Sequence, residues 1–332
     1  VRTKRLLDDS GAWGPDDAHP RDRGERVRMS GKQAMQARKK SDYQNGRHMT
    51  MTFSISAEDK RRYREDGYWI SPKLLDDEGI NRLRRAHDRI WEGDFDGDGY
   101  PLDNAYAKGG DRKKLRQFNN GWWINDNVRA VVTDPAIGKL AADLLETDEV
   151  RLWHDQVIWK PGTEGETSAV GNVGWHQDFA YWQCLSTDNV VTVWIALQDT
   201  DLSNGGMMTI LGSHKWGLIK DSDTFYETNM DALRAKYESE GRSWVEEPCI
   251  LKAGQASFHH GLTFHGSGPN LSSEPRLSVV AHLIPGGTAY RSGVQYHGNA
   301  KFLGPRPQDG QLFANDYFPV VYRRNREATN DE

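Results

Sequence analysis

Two periodicities divide the chain. From about Phe53 to residue 145 apolar positions recur at three- and four-residue spacing, as on one face of a helix; from Val150 they alternate, as in strands. Ser56-Ala57-Glu58-Asp59 reads as a helix start, with Ser56 as N-cap and acids in the first turn. It predicts a helix over Glu58–Asp66 that stops at Gly67, followed by a short strand, Tyr68-Trp69-Ile70. Ile80, Leu83, His87 and Ile90 share a face of a second helix over Asp76–Trp91. Asp134-Pro135 opens a third over Ala136–Leu145.

In Val150–Lys160 the even positions Val150, Leu152, His154, Gln156 and Ile158 form one face, and Trp153, Val157 and Trp159 the other. In Asn189–Leu197, Val191, Val193, Ile195 and Leu197 oppose Thr192, Trp194 and Ala196. In Arg276–Ile284, Leu277, Val279, Ala281 and Leu283 oppose Arg276, Ser278, Val280 and His282. Shorter strands are expected near Met207–Leu211 and Cys249–Leu251. They flank a charged insertion, Phe225–Glu247, in which Met230, Leu233 and Tyr237 have helical spacing. Strands with one apolar face and one mixed face suit a closed sandwich with helices outside and a ligand cavity inside. The expected fold is mainly β with flanking helices: a double-stranded β-helix (jelly-roll, cupin-like) core with the N-terminal helices packed on one sheet.

The domain reading is one unit over 52–325: a helical part at 56–145, a jelly-roll core at 150–285 and a C-terminal cover at 286–325. Within the cover, Tyr290–His297 is expected to fold back over the cavity mouth. Residues 1–51 carry 12 Lys/Arg against 7 Asp/Glu and only scattered apolar residues, so they read as a disordered extension or leader. The whole chain has a net charge of −5, which leaves the remainder at about −10 and argues against nucleic acid as a partner. No apolar run approaches the ~20 residues of a membrane span. Two cysteines, Cys184 and Cys249, make no disulfide framework, and a reduced cytoplasmic protein, monomer or homodimer, is expected.

The chemistry centres on Trp175-His176-Gln177-Asp178. In extended backbone His176 and Asp178 project the same way. His265, 89 residues after His176, supplies a third ligand. Two imidazoles and a carboxylate that leave coordination positions open are the facial set of non-haem Fe(II) oxygenases. Arg276 follows His265 by 11 residues, and its planar fork suits a carboxylate held beside the metal. His259 shares the parity of its strand and is placed beside the ligands, while His154, His214 and His282 are read as buried core imidazoles. Asp94-Phe-Asp96-Gly-Asp98-Gly99 opens like a calcium loop, but its twelfth position is Ala105 rather than glutamate, so it reads as a polar loop.

The ordered set resembles the phytanoyl-CoA dioxygenase family. It comprises Gly174–Asp178, VTVWIAL (Val191–Leu197), SNGGMMTILGSHKW (Ser203–Trp216) and FHHGLTFHGSGPNLSSEPR (Phe258–Arg276), over roughly the C-terminal two thirds of the chain. The resemblance implies an Fe(II)-dependent enzyme using 2-oxoglutarate and O2 as cosubstrates and a small molecule as substrate. 2-Oxoglutarate is decarboxylated to succinate and CO2 as an unactivated C–H is hydroxylated. It further implies that Arg276 and Ser267 hold the cosubstrate carboxylate, that Trp194 lines its pocket, and that Gln156, in the run His154–Pro161, hydrogen-bonds near the metal. Arg116 or Lys114 is a candidate second basic contact. Related halogenases have a small residue where Asp178 stands, so hydroxylation is favoured.

Tyr181, Trp182 and the glycine-rich Thr163–Val173 adjoin the ligand strand and are expected at the substrate. No Lys/Arg cluster for a CoA phosphate lies near the motifs, which leans the substrate toward a small metabolite or natural-product intermediate. Two other readings use the same ligands: a cupin-like metal enzyme that is not an oxygenase, and a non-catalytic metal- or metabolite-binding module. The first has no need of Ser267 and Arg276 in register, and the second, as a decayed site, predicts a missing ligand or a missing arginine, where both are present.

Overall fold

A computed structural model describes residues 53–96, 111–166 and 171–325. The extension expected over 1–51, most of the calcium-like loop and residues 167–170 of the glycine-rich approach lie outside the described residues.

The helices follow their caps. They span Ala57–Asp66, Asp77–Glu92 and Pro135–Leu145. Ser56 Oγ accepts from Asp59 N at 3.0 Å, while the Asp59 carboxylate accepts from Ser56 N at 3.0 Å, a reciprocal capping box. Asp76 and Asp134 cap the other two through Gly79 N and Ala136 N. A fourth helix, Asp126–Val132, escapes the pattern. Its seven residues show fewer than two full turns of periodicity, and a 3-10 turn, Gly121–Trp123, runs into its cap, Asn125. The charged insertion is helical only over Met230–Ser239.

Eleven strands are described: β1 Tyr68–Ile70, β2 Arg116–Asn119, β3 Glu149–Lys160, β4 Val173–His176, β5 Val191–Ala196, β6 Met207–Ile210, β7 Glu246–Pro248, β8 Ala256–His260, β9 His265–Ser267, β10 Arg276–Pro285 and β11 Val320–Arg323. They build two antiparallel sheets. The larger runs β1-β8-β5-β10-β3-β11, with β2 also on β3; the smaller runs β4-β9-β6-β7. The strand expected at Cys249–Leu251 lies upstream, at Glu246–Pro248, where it pairs with β6; Leu251 makes only an isolated bridge to Thr200.

Alternation decides what each face of the larger sheet meets. Val191, Val193 and Ile195 of β5 and Val279, Ala281 and Leu283 of β10 are buried in one cluster with Leu83, Ile90 and Leu140 of the helices. Burying such side chains stabilises by roughly 1.5–3 kcal/mol each, so this face fixes the helices on the sheet. The opposite face carries Thr192, Trp194, Arg276, Val280 and His282 and looks into the sandwich. β3 departs from the simple even–odd split. His282 pairs with His154, but Leu283 pairs with Leu152, so Trp153 is an extra residue in the ladder. That bulge flips parity. Val150 and Leu152 join the helix-side cluster, whereas Ile158 packs inward against Trp194 and Val280.

β3 also carries Asp155, fully buried, whose Oδ1 accepts from Trp122 N at 3.3 Å while its carbonyl accepts from Asn120 N at 2.9 Å. It thereby ties the Gly121–Trp123 turn to the sheet. Burial pushes the carboxyl up from 3.8 to about 8. Between those values the folded chain keeps the proton that the unfolded chain has released. The stabilisation is complete below about pH 4 and is lost as pH rises toward 8. Asp155→Asn keeps the acceptor and removes the titration. Its melting temperature should exceed that of the wild type at pH 8, and the gap should shrink by pH 5; parallel curves across that range would show that Asp155 is not a buried acid.

Candidate active site

Strand pairing assembles the candidate ligand set. His176 ends β4 and stands directly opposite His265, the first residue of β9, so two positions 89 residues apart become cross-strand neighbours. β4 stops at His176, and Asp178 begins a 3-10 turn; Gln177 between them remains extended, which keeps the ligands on one side. Gln177 faces the other way and is saturated. Its Nε2 donates to Gly217 O at 2.9 Å and Leu262 O at 2.8 Å, and its Oε1 accepts from Ile219 N at 2.8 Å and Ser222 Oγ at 2.9 Å. The residue between the ligands is therefore what locks their backbone. Gly174 matters for the same reason: a Cβ there would lie 2.1 Å from Thr224 O and 2.3 Å from Glu227 O, so only glycine lets this loop cross the ligand strand.

One nitrogen or oxygen from each of His176, Asp178 and His265 lies within 4.8 Å of the others, and all three residues are buried. His176 Nδ1 faces Gly174 O at 2.7 Å and His265 Nδ1 faces Thr263 O at 3.0 Å. A carbonyl can only accept, so each Nδ1 holds the hydrogen and each Nε2 keeps its lone pair. Those lone pairs converge on Asp178 Oδ1, at 3.6 Å from His176 Nε2 and 3.8 Å from His265 Nε2. Three electron-pair donors facing one another without a hydrogen between them fit a divalent cation.

Other side chains fix the carboxylate. Thr192 Oγ1 donates to Asp178 Oδ2 at 2.6 Å, and His282 Nδ1, 2.9 Å from the same hydroxyl, donates to it in turn. His259 Nε2 lies 3.4 Å from Asp178 Oδ2, in the position beside the ligands that its parity indicates. Burial alone would raise the Asp178 carboxyl; the surrounding imidazoles, His265 foremost, outweigh it and hold the group well below the usual carboxylate range. Burial pushes the His265 imidazole well below its ordinary range, and His176 adds to that. Thr192 is missed by sequence reasoning. A threonine in an apolar strand is unremarkable until register brings it to Asp178.

Arg276 is buried at the start of β10, its guanidinium 4.9 Å from the Trp194 ring centroid and its Nη1 donating to Gly205 O at 3.1 Å. Ser267, at the end of β9, is also buried, and its Oγ lies 2.5 Å from Lys160 Nζ. Arg276 and Lys160 are partners in the β10–β3 ladder. Gln156, on the same face of β3, donates to Asn119 Oδ1 at 3.1 Å rather than to a ligand. Arg116 points away from the sandwich and lies 4.7 Å from the Trp91 ring, and Lys114 is exposed. The second cation brought to Arg276 is thus Lys160, which the sequence shows only as part of the His154–Pro161 run.

Beside the candidate ligands, the rings of Tyr181 and Phe225 lie 6.2 Å and 5.0 Å from that of His176, and Tyr181 Oη accepts from Phe225 N at 3.0 Å. Phe225 has no signal of its own in the sequence, where it only opens the charged insertion. Trp182 is buried, 4.6 Å from the ring of His282. The C-terminal segment reaches this end of the site: Tyr290 bridges Leu185, Arg291 N donates to Cys184 O, and the ring of His297 stacks 5.2 Å from that of His154. Cys184 and Cys249 are buried free thiols.

A family model described as phytanoyl-CoA dioxygenase (PhyH) matches residues 63–278. The peroxisomal phytanoyl-CoA dioxygenase of Bos taurus is 22% identical over 240 residues, covering 71% of this chain and 70% of that protein. Among solved structures, the non-heme alpha ketoglutarate dependent carbocyclase SnoK from nogalamycin biosynthesis superposes with a TM-score of 0.62 at 22% identity, over 82% of this chain and 99% of its own. The epimerase SnoN, in complex with Fe3+, alpha ketoglutarate and nogalamycin RO, gives 0.59 at 24% identity, over 80% and 97%.

Proposed function

The chain belongs to the phytanoyl-CoA dioxygenase family and is an iron- and 2-oxoglutarate-dependent oxygenase, and from that premise we propose that it hydroxylates an unactivated C–H of a small metabolite or natural-product intermediate. The observation that carries the proposal is the convergence of His176 Nε2, Asp178 Oδ1 and His265 Nε2, with both Nδ1 hydrogens committed to backbone carbonyls. In this reading those three residues hold the iron. Bound iron supplies O2 activation, coupled to decarboxylation of 2-oxoglutarate to succinate and CO2.

The protein's own part is orientation and exclusion of water. Thr192 and His259 hold the Asp178 carboxylate in place. Arg276, stacked on Trp194, and Ser267 bind the distal carboxylate of the cosubstrate, while Gln156 is assigned nearer the metal. Tyr181, Trp182 and Phe225 form an aromatic rim that suits a small, partly apolar substrate. A carboxylate at position 178 supports hydroxylation over halogenation, which would need a small residue there. The net-acidic body and the lack of a Lys/Arg cluster at the motifs support a small metabolite rather than a CoA ester. The reading takes 52–325 as one oxygenase domain of a cytoplasmic monomer or homodimer; no described helix is long and apolar enough to cross a membrane.

The test is succinate formation by the purified protein with Fe(II), ascorbate and 2-oxoglutarate under air. A slow iron- and oxygen-dependent signal is expected. Stimulation of that signal then screens candidate substrates, and incorporation of one oxygen atom from labelled O2 identifies hydroxylation. Absence of succinate, together with no binding of 2-oxoglutarate to the metal-loaded protein under nitrogen, would turn the reading to a cupin-like enzyme of another reaction class.

A further inference from the structure

The ladders of the larger sheet line up one row of polar side chains across it. Thr192 of β5 pairs with His259 of β8 on one side and with His282 of β10 on the other, and His282 pairs with His154 of β3. All four are buried, although the next residues along the same face of β5 and β10, Trp194 and Val280, are apolar. Burying a polar row is costly unless it meets a partner. The partner this row meets is Asp178.

The two oxygens of that carboxylate are treated differently. Oδ1 lies 3.6 Å from His176 Nε2 and 3.8 Å from His265 Nε2, on the ligand side. Oδ2 accepts from Thr192 Oγ1 at 2.6 Å and faces His259 Nε2 at 3.4 Å, on the sheet side. A hydroxyl has one hydrogen, and an ionised carboxylate only accepts, so Thr192 receives from its other neighbour, His282 Nδ1 at 2.9 Å. His282 therefore sets the sense of the hydroxyl; with an apolar residue in its place, Thr192 would be free to turn its hydrogen away from Oδ2. The imidazole is itself packed, edge-on to Trp182 with ring centroids 4.6 Å apart and 4.2 Å from the ring of His154. A carboxylate can give a metal one oxygen or both. Giving both would use a position that the keto acid and O2 need, since the facial set works by leaving positions open.

We propose that Thr192 and His282 are positioning residues that hold Asp178 to a single ligand oxygen, Oδ1, by keeping Oδ2 engaged on the sheet side. The inference rests on the iron and cosubstrate reading above. It makes His282 part of the site rather than a core imidazole. It also gives the row across the sheet a task, which is to keep open the positions at which the cosubstrates bind.

The experiment compares the wild type with Thr192→Val and His282→Leu. Each is titrated under nitrogen, first with Fe(II) and then, once loaded, with 2-oxoglutarate. With Oδ2 released to join Oδ1 on the metal, Fe(II) affinity should hold or rise in both variants, while 2-oxoglutarate binding falls about 10-fold or more, as expected for an outer partner of a ligand. Thr192→Ser, which keeps the hydroxyl, should restore the wild-type affinity for 2-oxoglutarate. A fall in Fe(II) affinity would overturn the proposal, because it marks the pair as plain support for a ligand; so would unchanged binding of 2-oxoglutarate. If neither variant folds, a crystal structure of the wild type with Fe(II) and 2-oxoglutarate decides: Oδ1 alone at about 2 Å from the metal supports the assignment, and both oxygens at that distance end it. Failure of the wild type to bind 2-oxoglutarate at all would remove the cosubstrate reading itself, a result distinct from either outcome in the variants.

Discussion

Asp178→Ala should abolish succinate formation and lower iron affinity by more than about 100-fold, beyond what loss of an outer hydrogen-bond partner of a ligand costs. The variant removes the only carboxylate in the ligand set and leaves His176, His259 and His265 packed around a neutral gap. It also strands the hydroxyl of Thr192, which loses its acceptor. Because Gln177 holds the loop through four separate hydrogen bonds, the fold around the gap should survive. Iron content after anaerobic loading and dialysis, read beside succinate yield, checks both halves. A variant that retained iron and turnover would place the metal elsewhere.

Arg276→Ala should act on the cosubstrate and spare the metal. The guanidinium is buried against Trp194, and its removal takes away a charge-assisted contact worth about 1.5–3 kcal/mol, or roughly 10- to 150-fold in the concentration of 2-oxoglutarate needed. Iron content should match the wild type, and succinate formation at saturating 2-oxoglutarate should fall much less than that at limiting concentration. The measurement is the rate of succinate formation against 2-oxoglutarate concentration. An unchanged KM would remove Arg276 from the cosubstrate site, whatever became of kcat.

How far these expectations could be read from the residues depends on the range of the interactions involved. Helix starts are local chemistry, so Ser56 and Asp134 announce their helices unaided. Faces of β5 and β10 are legible because alternation is a property of each strand by itself. β3 is misread at one end because the bulge at Trp153 is a property of pairing with β10, and pairing is invisible in a lone strand. The same limit governs the site. His176 and Asp178 are recognisable two residues apart, and His265 through the serine and arginine behind it. Thr192, Phe225 and Lys160 carry no local signal, since what brings each of them to the site is another element's position. Arg116 shows the converse: its charge and place in the sequence suggest the cosubstrate, but the parity of β2 sends it to Trp91 on the far side.

The pairing of His176 with His265 also orders events in time. Closing that pair brings together positions 89 residues apart, with β5, β6, β7 and β8 between them in sequence. Contacts of such long separation form late, because the loop entropy must be met before the contact rewards it. A chain still being synthesised, or one collapsed around its helix-side core alone, has no matched ligands to offer. A metal held by these residues needs β4 paired with β9, so iron retention should report that the smaller sheet has closed.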